Sequence, residues 1–193
     1  MNATSMTPRR SGLLCSREFP DCSGIELSYR LWGVMAHAET RFRSYRAEDL
    51  DAMHALDVVC FERPFRFTRG AMRRFAEAKK ATLVIAEEED ALIGFVILHT
   101  EEAEDKKARY VITVDVDPAF RRRGVARLLM REAERQACND GCFAMVLHVY
   151  TGNVAAVQFY AQIGYVRSHR VEGFYGAGID AWECHKLLDC VKA

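Results

Sequence analysis

The chain has 193 residues, half of them hydrophobic, which is enough for one compact domain with a sizeable core. Lysine plus arginine equals aspartate plus glutamate at 27 each, so no global field would recruit nucleic acid or an anionic membrane. No run approaches the roughly 20 apolar residues that a membrane helix needs. We therefore expect a soluble protein with neither of these partners.

Seven cysteines are scattered along the chain without a CxxC pair. An odd number with irregular spacing is typical of reduced thiols in a cytoplasmic protein, which is the state and the compartment that we expect. Cys138 and Cys142 stand one helical turn apart, and they are interpreted as two partly buried thiols. No histidine or further cysteine completes a recognisable ligand set with them, so the sequence predicts no metal site.

Residues 1–40 lack sustained periodicity and mix serine, proline, glycine and cysteine. The stretch that follows Arg9 and Arg10 is too short and too polar for the apolar core of a signal peptide. We expect a poorly ordered extension over residues 1–40, with Met35 as an alternative start. A single folded domain is then expected over residues 41–193.

From residue 41 onward the pattern is regular, and hydrophobic periodicity predicts eleven elements. Their order is strand, helix, helix, three strands, helix, strand, helix and two strands. Their expected bounds are 42–46, 47–61, 68–79, 81–86, 91–100, 110–116, 123–139, 142–149, 153–164, 165–172 and 179–188. The charged run 101–109 is interpreted as a solvated loop.

Three arginines, Arg121 to Arg123, stand where a strand gives way to the next helix. Asp117 and Pro118 end the strand, because a residue before proline avoids the helical region and proline cannot extend the ladder. A helix that begins near Arg123 offers N–H groups without partners, and the small residues Gly124 and Ala126 leave that backbone accessible. The arrangement predicts a pyrophosphate pocket, and the alternative is a basic, solvated helix start.

The motif RRRGVA at 121–126 resembles the [RQ]-x-x-G-x-[GA] coenzyme A signature of the GNAT superfamily of N-acetyltransferases. A second motif, NVAAVQFYAQIGY at 153–165, is similar to that superfamily's N-x-x-A-x-x-[FL]-Y-x-x-x-G-[FY] helix. The RimI-type branch, which acetylates protein N-termini, is nearest in character. The resemblance spans about 41–188 and implies an α/β fold. Its mixed, mostly antiparallel central sheet would be flanked by helices and would splay between two strands to admit the cofactor.

The resemblance implies that the cofactor is acetyl-CoA. A strand end would polarise the thioester carbonyl with its amides, the arginine-rich helix start would hold the diphosphate, and Asn153 would contact the pantetheine arm. The expected cofactor-binding residues are Val114, Asp115, Val116, Arg121, Arg122, Arg123, Gly124, Val125, Ala126, Arg127 and Asn153. An ordinary helix N-cap is the alternative for Asn153, and it is compatible with cofactor contact.

Tyr160 follows Asn153 by seven residues, on the same helix face and about 10 Å along the axis. The resemblance makes it the general acid that protonates the departing thiolate, and core packing is the alternative. His148 replaces the glutamate base of the RimI branch. Its imidazole is basic enough for an α-amine of pKa ~8. Asp115 and Glu172 remain rival bases, and a plain strand histidine is the alternative for His148.

The ending EGFYGAGIDAWECHKL at 172–187 resembles the Y-Y-x-x-x-x-D-A hairpin of N-terminal acetyltransferases, with Phe174 in place of the first tyrosine. The resemblance makes Tyr175 a substrate contact, and FERPF at 61–65, with Phe65, completes the acceptor groove. We predict an acetyl-CoA-dependent N-acetyltransferase that acts on a protein N-terminus. A small-amine acetyltransferase and a non-catalytic acyl-CoA sensor are the alternatives. The length of the acyl chain, and a monomer or a homodimer, stay open.

Overall fold

The computed structural model describes residues 39–103 and 106–190. The extension expected over residues 1–40 therefore lies outside the described residues, apart from its last two positions. The elements are β1 (Arg41–Ser44), a 3-10 turn (Ala47–Asp49), α1 (Leu50–Cys60), α2 (Arg69–Ala76), β2 (Ala81–Glu88), β3 (Ala91–Ala103), β4 (Lys106–Val116), a second 3-10 turn (Pro118–Phe120), α3 (Val125–Asn139), β5 (Ala144–Tyr150), α4 (Val154–Gln162), β6 (Val166–Val171) and β7 (Ala181–Leu187).

These strands form one sheet in the order β1-β2-β3-β4-β5-β7-β6, with helices on both faces. The side chains of β3 alternate between the faces, as a strand buried on both sides requires. Phe95 and Ile97 pack with α1 and α2, whereas Val96 and Leu98 pack with α3. The predicted mixed, mostly antiparallel sheet flanked by helices is confirmed.

The sheet opens between β4 and β5, the one parallel pair among the described strands. The two strands pair only from Ala108 to Val111 on β4, against Ala144 to Leu147 on β5. At the same point β4 carries a bulge, because Ile97 pairs with Thr113 and Leu98 with Val111. A bulge bends its strand, so the remainder of β4 diverges from β5 and leaves a gap in the sheet.

Two local expectations are wrong. Most of the charged run 101–109 is strand, with Glu101 paired to Ala108 and Glu102 to Lys107. Charged side chains are tolerated there because the end of this hairpin is exposed, and Glu102 also binds Lys80 at 2.9 Å. The helix expected from about residue 123 begins two residues later, at Val125.

The expectation that all the cysteines are reduced is also wrong. Cys138, in the last turn of α3, forms a disulfide with Cys190, which follows β7. Their 52-residue separation gave no sign of this pairing, because only the fold brings the two Cα atoms to 5.3 Å. Cys142 is free and buried. The expectation of a cytoplasmic protein rested on reduced thiols and loses that support.

No helix in the described ranges is both long enough and apolar enough to cross a membrane.

Candidate active site

A cavity of about 320 Å³ lies where β4 and β5 diverge. Its walls come from the loop between α1 and α2, the splayed ends of both strands, α4 and the turn between β6 and β7. The lining residues are Phe61, Pro64, Phe65, Arg66, Phe67, Val111, Ile112, Thr113, Val114, Leu147, His148, Val149, Tyr150, Asn153, Ala156, Tyr160 and Tyr175. The fold thus gathers Phe65, His148, Asn153, Tyr160 and Tyr175, all predicted from the sequence, around one space.

The N-terminus of α3 carries free backbone donors. The first amide bonded to the helix backbone is that of Leu128, which donates to the carbonyl of Gly124 at 3.0 Å. The amides of residues 125–127 have no acceptor among the described residues. Gly124 has φ +86°, and a Cβ placed there would meet nothing within 4 Å. Glycine is therefore required by the conformation rather than by crowding.

The arginines at this helix start do different things. Arg121 Nε donates to the carbonyl of Val116 at 3.1 Å, which ties the turn to the end of β4. Arg123 binds both carboxylate oxygens of Glu88 at 2.9 Å. Arg122 and Arg127 are exposed and make no ion pair with any described residue. The cations available to an anionic ligand are therefore chiefly these last two.

The β4 edge that faces the gap runs from Ile112 to Val116 and has no strand partner on the β5 side. Val114 lines the cavity, but the side chain of Asp115 does not. Asp115 is 1% exposed and accepts a hydrogen bond from the Thr113 hydroxyl at 2.6 Å, and burial raises its pKa to about 8. Asp115 thus belongs to the edge of β4 that has no partner on β5, but its carboxyl is kept from the cavity.

Glu172, the other rival base, is exposed and lies outside the cavity lining. A base must come within hydrogen-bond reach of the proton that it takes, directly or through one water. The carboxylates of Asp115 and Glu172 are therefore poorly placed to deprotonate an amine in the cavity.

Asn153 caps α4, because its side-chain oxygen accepts a hydrogen bond from the Ala156 amide at 3.1 Å. Its NH₂ group is not used by this cap and is available to a ligand in the cavity. Tyr160 lies two turns further along and also lines the cavity. Burial raises the pKa of the Tyr160 phenol, so this group carries a proton at neutral pH.

His148 has three distinct neighbours. Its Nδ1 lies 2.8 Å from the hydroxyl oxygen of Tyr110, and its Nε2 lies 3.8 Å from a carboxylate oxygen of Glu183. Its ring stacks on Phe174 with centroids 4.1 Å apart. Burial lowers the pKa of the imidazole, and the Glu183 carboxylate opposes this shift. The imidazole is therefore neutral at pH 7 and free to take up a proton.

Tyr110 is a site residue that the sequence reasoning missed. It pairs with Val146 in the parallel ladder, and His148 follows Val146 by two residues on the same face of β5. Burial raises the pKa of Tyr110, so its hydroxyl stays protonated. This contact depends on the register of β4 against β5, so the sequence alone does not reveal it. Tyr110 itself is the first residue of a strand that the sequence did predict.

Aromatic rings close one end of the cavity. The ring centroid of Phe65 lies 4.9 Å from that of Tyr150 and 5.1 Å from that of Tyr175. The Tyr175 hydroxyl donates to the carbonyl of His148 at 3.0 Å, and burial raises its pKa to about 12. Asp180 fixes this turn by accepting hydrogen bonds from the Gly173 amide and from the Arg170 guanidinium.

Residues 50–165, more than half of the chain, match a family model described as "Acetyltransferase (GNAT) family". The N-terminal acetyltransferase B complex catalytic subunit naa20 of Schizosaccharomyces pombe is 29% identical over 118 residues. That alignment covers 57% of this chain and 66% of the relative. The chain thus spans just under two thirds of the length of this relative.

Two of the solved structures with the same fold align over almost their whole length with this chain. The ribosomal-protein-S18-alanine N-acetyltransferase of Escherichia coli gives a TM-score of 0.68 at 16% identity, covering 80% of this chain and 97% of that one. Arabidopsis thaliana NAA60 in complex with a bisubstrate analogue gives 0.69 at 22% identity, covering 79% and 100%. At these identities the likeness concerns the fold alone.

Proposed function

Because the chain belongs to the acetyltransferase (GNAT) family, we propose that it transfers the acetyl group of acetyl-CoA to the α-amine of a protein or peptide N-terminus. One observation carries the proposal. A single cavity, where β4 and β5 diverge, joins the predicted acid Tyr160 to His148 and the aromatic rings of Phe65 and Tyr175. The family implies the transfer, and this arrangement supports an amine acceptor that enters on the aromatic side.

The residues around the gap fit acetyl-CoA. The free amides at 125–127, with Arg122 and Arg127, would hold the diphosphate, because a helix N-terminus and guanidinium groups both favour an anion. The unpaired edge of β4 and the NH₂ group of Asn153 would hold the extended arm. Bound acetyl-CoA supplies the acetyl group as an activated thioester. The β4 edge at Val114 offers amide donors toward a carbonyl in the gap.

Tyr110 and His148 act together as the general base. The Glu183 carboxylate near Nε2 favours the tautomer with the proton on that nitrogen, which leaves Nδ1 to accept the Tyr110 hydroxyl. His148, whose ring lines the cavity, takes the proton of the attacking amine on Nδ1, and the Tyr110 hydroxyl then turns to accept the new N–H. Glu183 stabilises the imidazolium that forms. This unit takes the place of the glutamate that the RimI branch uses.

Tyr160 acts as the general acid that donates to the leaving sulfur. It packs with the core on the side of α3, together with Leu147 and Val149 of β5. His148 alternates with these two residues along β5, so its side chain points to the other face. The base and the acid thus approach the gap from opposite faces of the sheet, which separates the proton that leaves the amine from the proton that reaches the thiolate.

The proposed base is matched to an α-amine. Deprotonating such an amine, with pKa ~8, at pH 7 costs about 1.4 kcal/mol of free energy. Deprotonating a lysine side chain of pKa ~10.4 costs nearly 5 kcal/mol. A neutral imidazole paired with a tyrosine is adequate for the first case. The relative whose name describes an N-terminal acetyltransferase also supports this acceptor.

Release of free thiol from acetyl-CoA, measured against a panel of acceptors, tests the proposal. The panel contains peptides with a free N-terminus, the same peptides with the N-terminus blocked, and small amines. We expect turnover of the free peptides and none of the blocked ones. Turnover confined to small amines would assign a small-molecule acceptor, and tight cofactor binding without any turnover would indicate a sensor.

A further inference from the structure

We propose that Asp57 and Asp115 form a positioning pair, which keeps one proton between two buried carboxyls and so holds the loop at 61–67 beside the β4 edge. The inference rests on the proposed function, because that loop and that edge are walls of the same cavity. It goes further, since the mechanism uses neither carboxyl. Burial, the contacts of each carboxyl and two oxygens without partners carry it.

Asp57 connects α1 to the loop that follows it. It lies with Met53 and Leu56 on the buried face of the helix and is itself fully buried. Its Oδ2 accepts a hydrogen bond from the Phe67 amide at 2.8 Å, and its backbone carbonyl accepts one from the Phe61 amide at 2.9 Å. Phe61 and Phe67 are the two ends of the loop segment that lines the cavity. Asp57 therefore fixes both ends of this wall.

Asp115 faces α1 from the sheet. It pairs with Phe95 of β3, whose side chain packs with α1 and α2, and directly paired residues share one face of a sheet. Burial raises the pKa of Asp115 to about 8, and the charge of Asp57 adds to this rise. Burial also raises the pKa of the Cys60 thiol on α1, and the charge of Asp115 adds to that rise. The carboxyls of Asp57 and Asp115 are thus close enough to act on each other.

Each of these carboxyls has one oxygen in use and one without a partner. Oδ1 of Asp115 accepts the Thr113 hydroxyl, as Oδ2 of Asp57 accepts the Phe67 amide. The other oxygens, Oδ1 of Asp57 and Oδ2 of Asp115, are buried and have no hydrogen-bond partner among the described residues. Two ionised carboxylates there would repel each other without the water that hydrates a surface charge. One retained proton removes this repulsion, and its titration belongs to the pair.

The groups around the pair do not neutralise it. They are His54 and Cys60 on α1, Arg66 in the loop, Arg121 after β4 and Tyr160 on α4. His54 and Arg66 favour an ionised Asp57, and Arg121 favours an ionised Asp115. None of these three forms an ion pair with either carboxyl within the described ranges. Burial raises the pKa of Cys60 and of Tyr160, so both are uncharged at neutral pH.

Loss of the retained proton would add a second negative charge in a place that water does not screen. The repulsion then acts between β4 and α1, which carries the contacts that fix the loop at 61–67. We therefore expect peptide binding to weaken as the pH rises past about 8, where Asp115 ionises. The phenols of Tyr110 and Tyr160 do not cause such a change, because burial raises their pKa and they stay protonated in this range.

The test is the pH profile of kcat/KM for a free N-terminal peptide. For the unmodified protein we expect a roughly tenfold fall between about pH 8 and about pH 9.5, mainly through KM, as one ionisation near pH 8 requires. Asp57→Asn and Asp115→Asn each leave a single carboxyl and offer an amide N–H to its free oxygen. In both variants kcat/KM at about pH 9.5 is no longer lower than at pH 7.

Asp90→Asn and Cys60→Ser are the matched controls, and both keep the fall. Asp90 is exposed in the turn between β2 and β3, lies outside the cavity lining, and has a φ of +63° that asparagine tolerates. Cys60→Ser keeps a donor for the Val116 carbonyl, which the thiol contacts at 3.3 Å, and removes the thiol as a source of the pH dependence.

Carbon NMR of labelled aspartate carboxyls measures the pair without any acceptor. We expect the Asp115 carboxyl to titrate near pH 8, and at lower pH in Asp57→Asn. The inference is overturned, while the proposed function stands, by an Asp115 carboxyl with an ordinary pKa, by a fall that persists in both asparagine variants, or by inactivity of both when folded. If no peptide is acetylated at any pH, the proposed function fails, and the NMR titration alone decides whether the pair exists.

Discussion

The hydroxyl oxygen of Tyr110 lies 2.8 Å from Nδ1 of His148, so residues of β4 and β5 form one proton-carrying pair beside the gap in the sheet. The two strands still run together where Tyr110 stands and have separated where His148 stands. The divergence that opens the cavity therefore also places the pair at its edge.

Tyr110→Phe removes the hydroxyl that lies against Nδ1 of His148 and keeps the ring. We expect kcat/KM for a free N-terminal peptide to fall roughly 100-fold, because the base loses the partner that orients it and accepts its new N–H. Cofactor affinity stays unchanged in calorimetry. Tyr45→Phe is the control, since Tyr45 packs in the core near α1 and lies outside the cavity. Normal turnover in Tyr110→Phe would remove the pair from the mechanism.

Glu183→Gln changes the pH dependence. The Glu183 carboxylate raises the pKa of His148 against the lowering effect of burial, so its removal lowers that pKa further. The base works when neutral, so activity is lost as the pH falls through the pKa of His148. The acidic limb of kcat/KM therefore moves to lower pH in the variant, and the rate at pH 7 falls because His148 becomes a weaker base and its imidazolium is less stabilised. A proton NMR titration of the His148 ring measures the shift directly, and an unmoved titration curve would contradict it.

Tyr160→Phe removes the proposed general acid. We expect kcat to fall roughly 100-fold with little change in the affinity for coenzyme A, because the hydroxyl acts in the transition state. Tyr165→Phe provides the comparison. The two ring centroids are 5.6 Å apart, but Tyr165 lies outside the cavity lining and should keep full activity. Equal losses in both variants would point to packing instead of acid catalysis.

Gly124→Glu places a side chain, with a negative charge, on a residue at φ +86° beside the proposed diphosphate site. We expect calorimetry to show an affinity for coenzyme A reduced by at least roughly 100-fold. Gly141→Glu is the matched control at the other end of α3, because Gly141 also has a positive φ and a Cβ placed there would meet nothing within 4 Å. Similar losses of affinity in both variants would show that the cause is strain in the helix.

The sequence predicted the order of the elements because buried positions recur with the periods of helix and strand. Leu129 and Ala133 mark the inner face of α3, and the alternation of β3 marks both sheet faces. The second motif predicted that Asn153 and Tyr160 lie on one face of the same helix, and both residues line the cavity.

Contacts between distant elements could not be predicted in the same way. The pairing of Tyr110 with His148 depends on strand register, and the bond of Cys138 to Cys190 depends on where the chain returns after β7. The engagement of Arg123 with Glu88 likewise depends on β2 lying beside the start of α3. The charge pattern did not distinguish Arg121, Arg122 and Arg123 from one another. In the fold, Arg121 binds the carbonyl of Val116 and Arg123 binds Glu88.

The most direct test of the proposed acceptor is to find which nitrogen is acetylated. A peptide with one free α-amine and one internal lysine is incubated with the protein and acetyl-CoA at pH 7, and fragment mass spectrometry locates the acetyl group. We expect acetylation of the α-amine with the lysine untouched. Acetyl on the lysine side chain, or no transfer to the peptide, would contradict it.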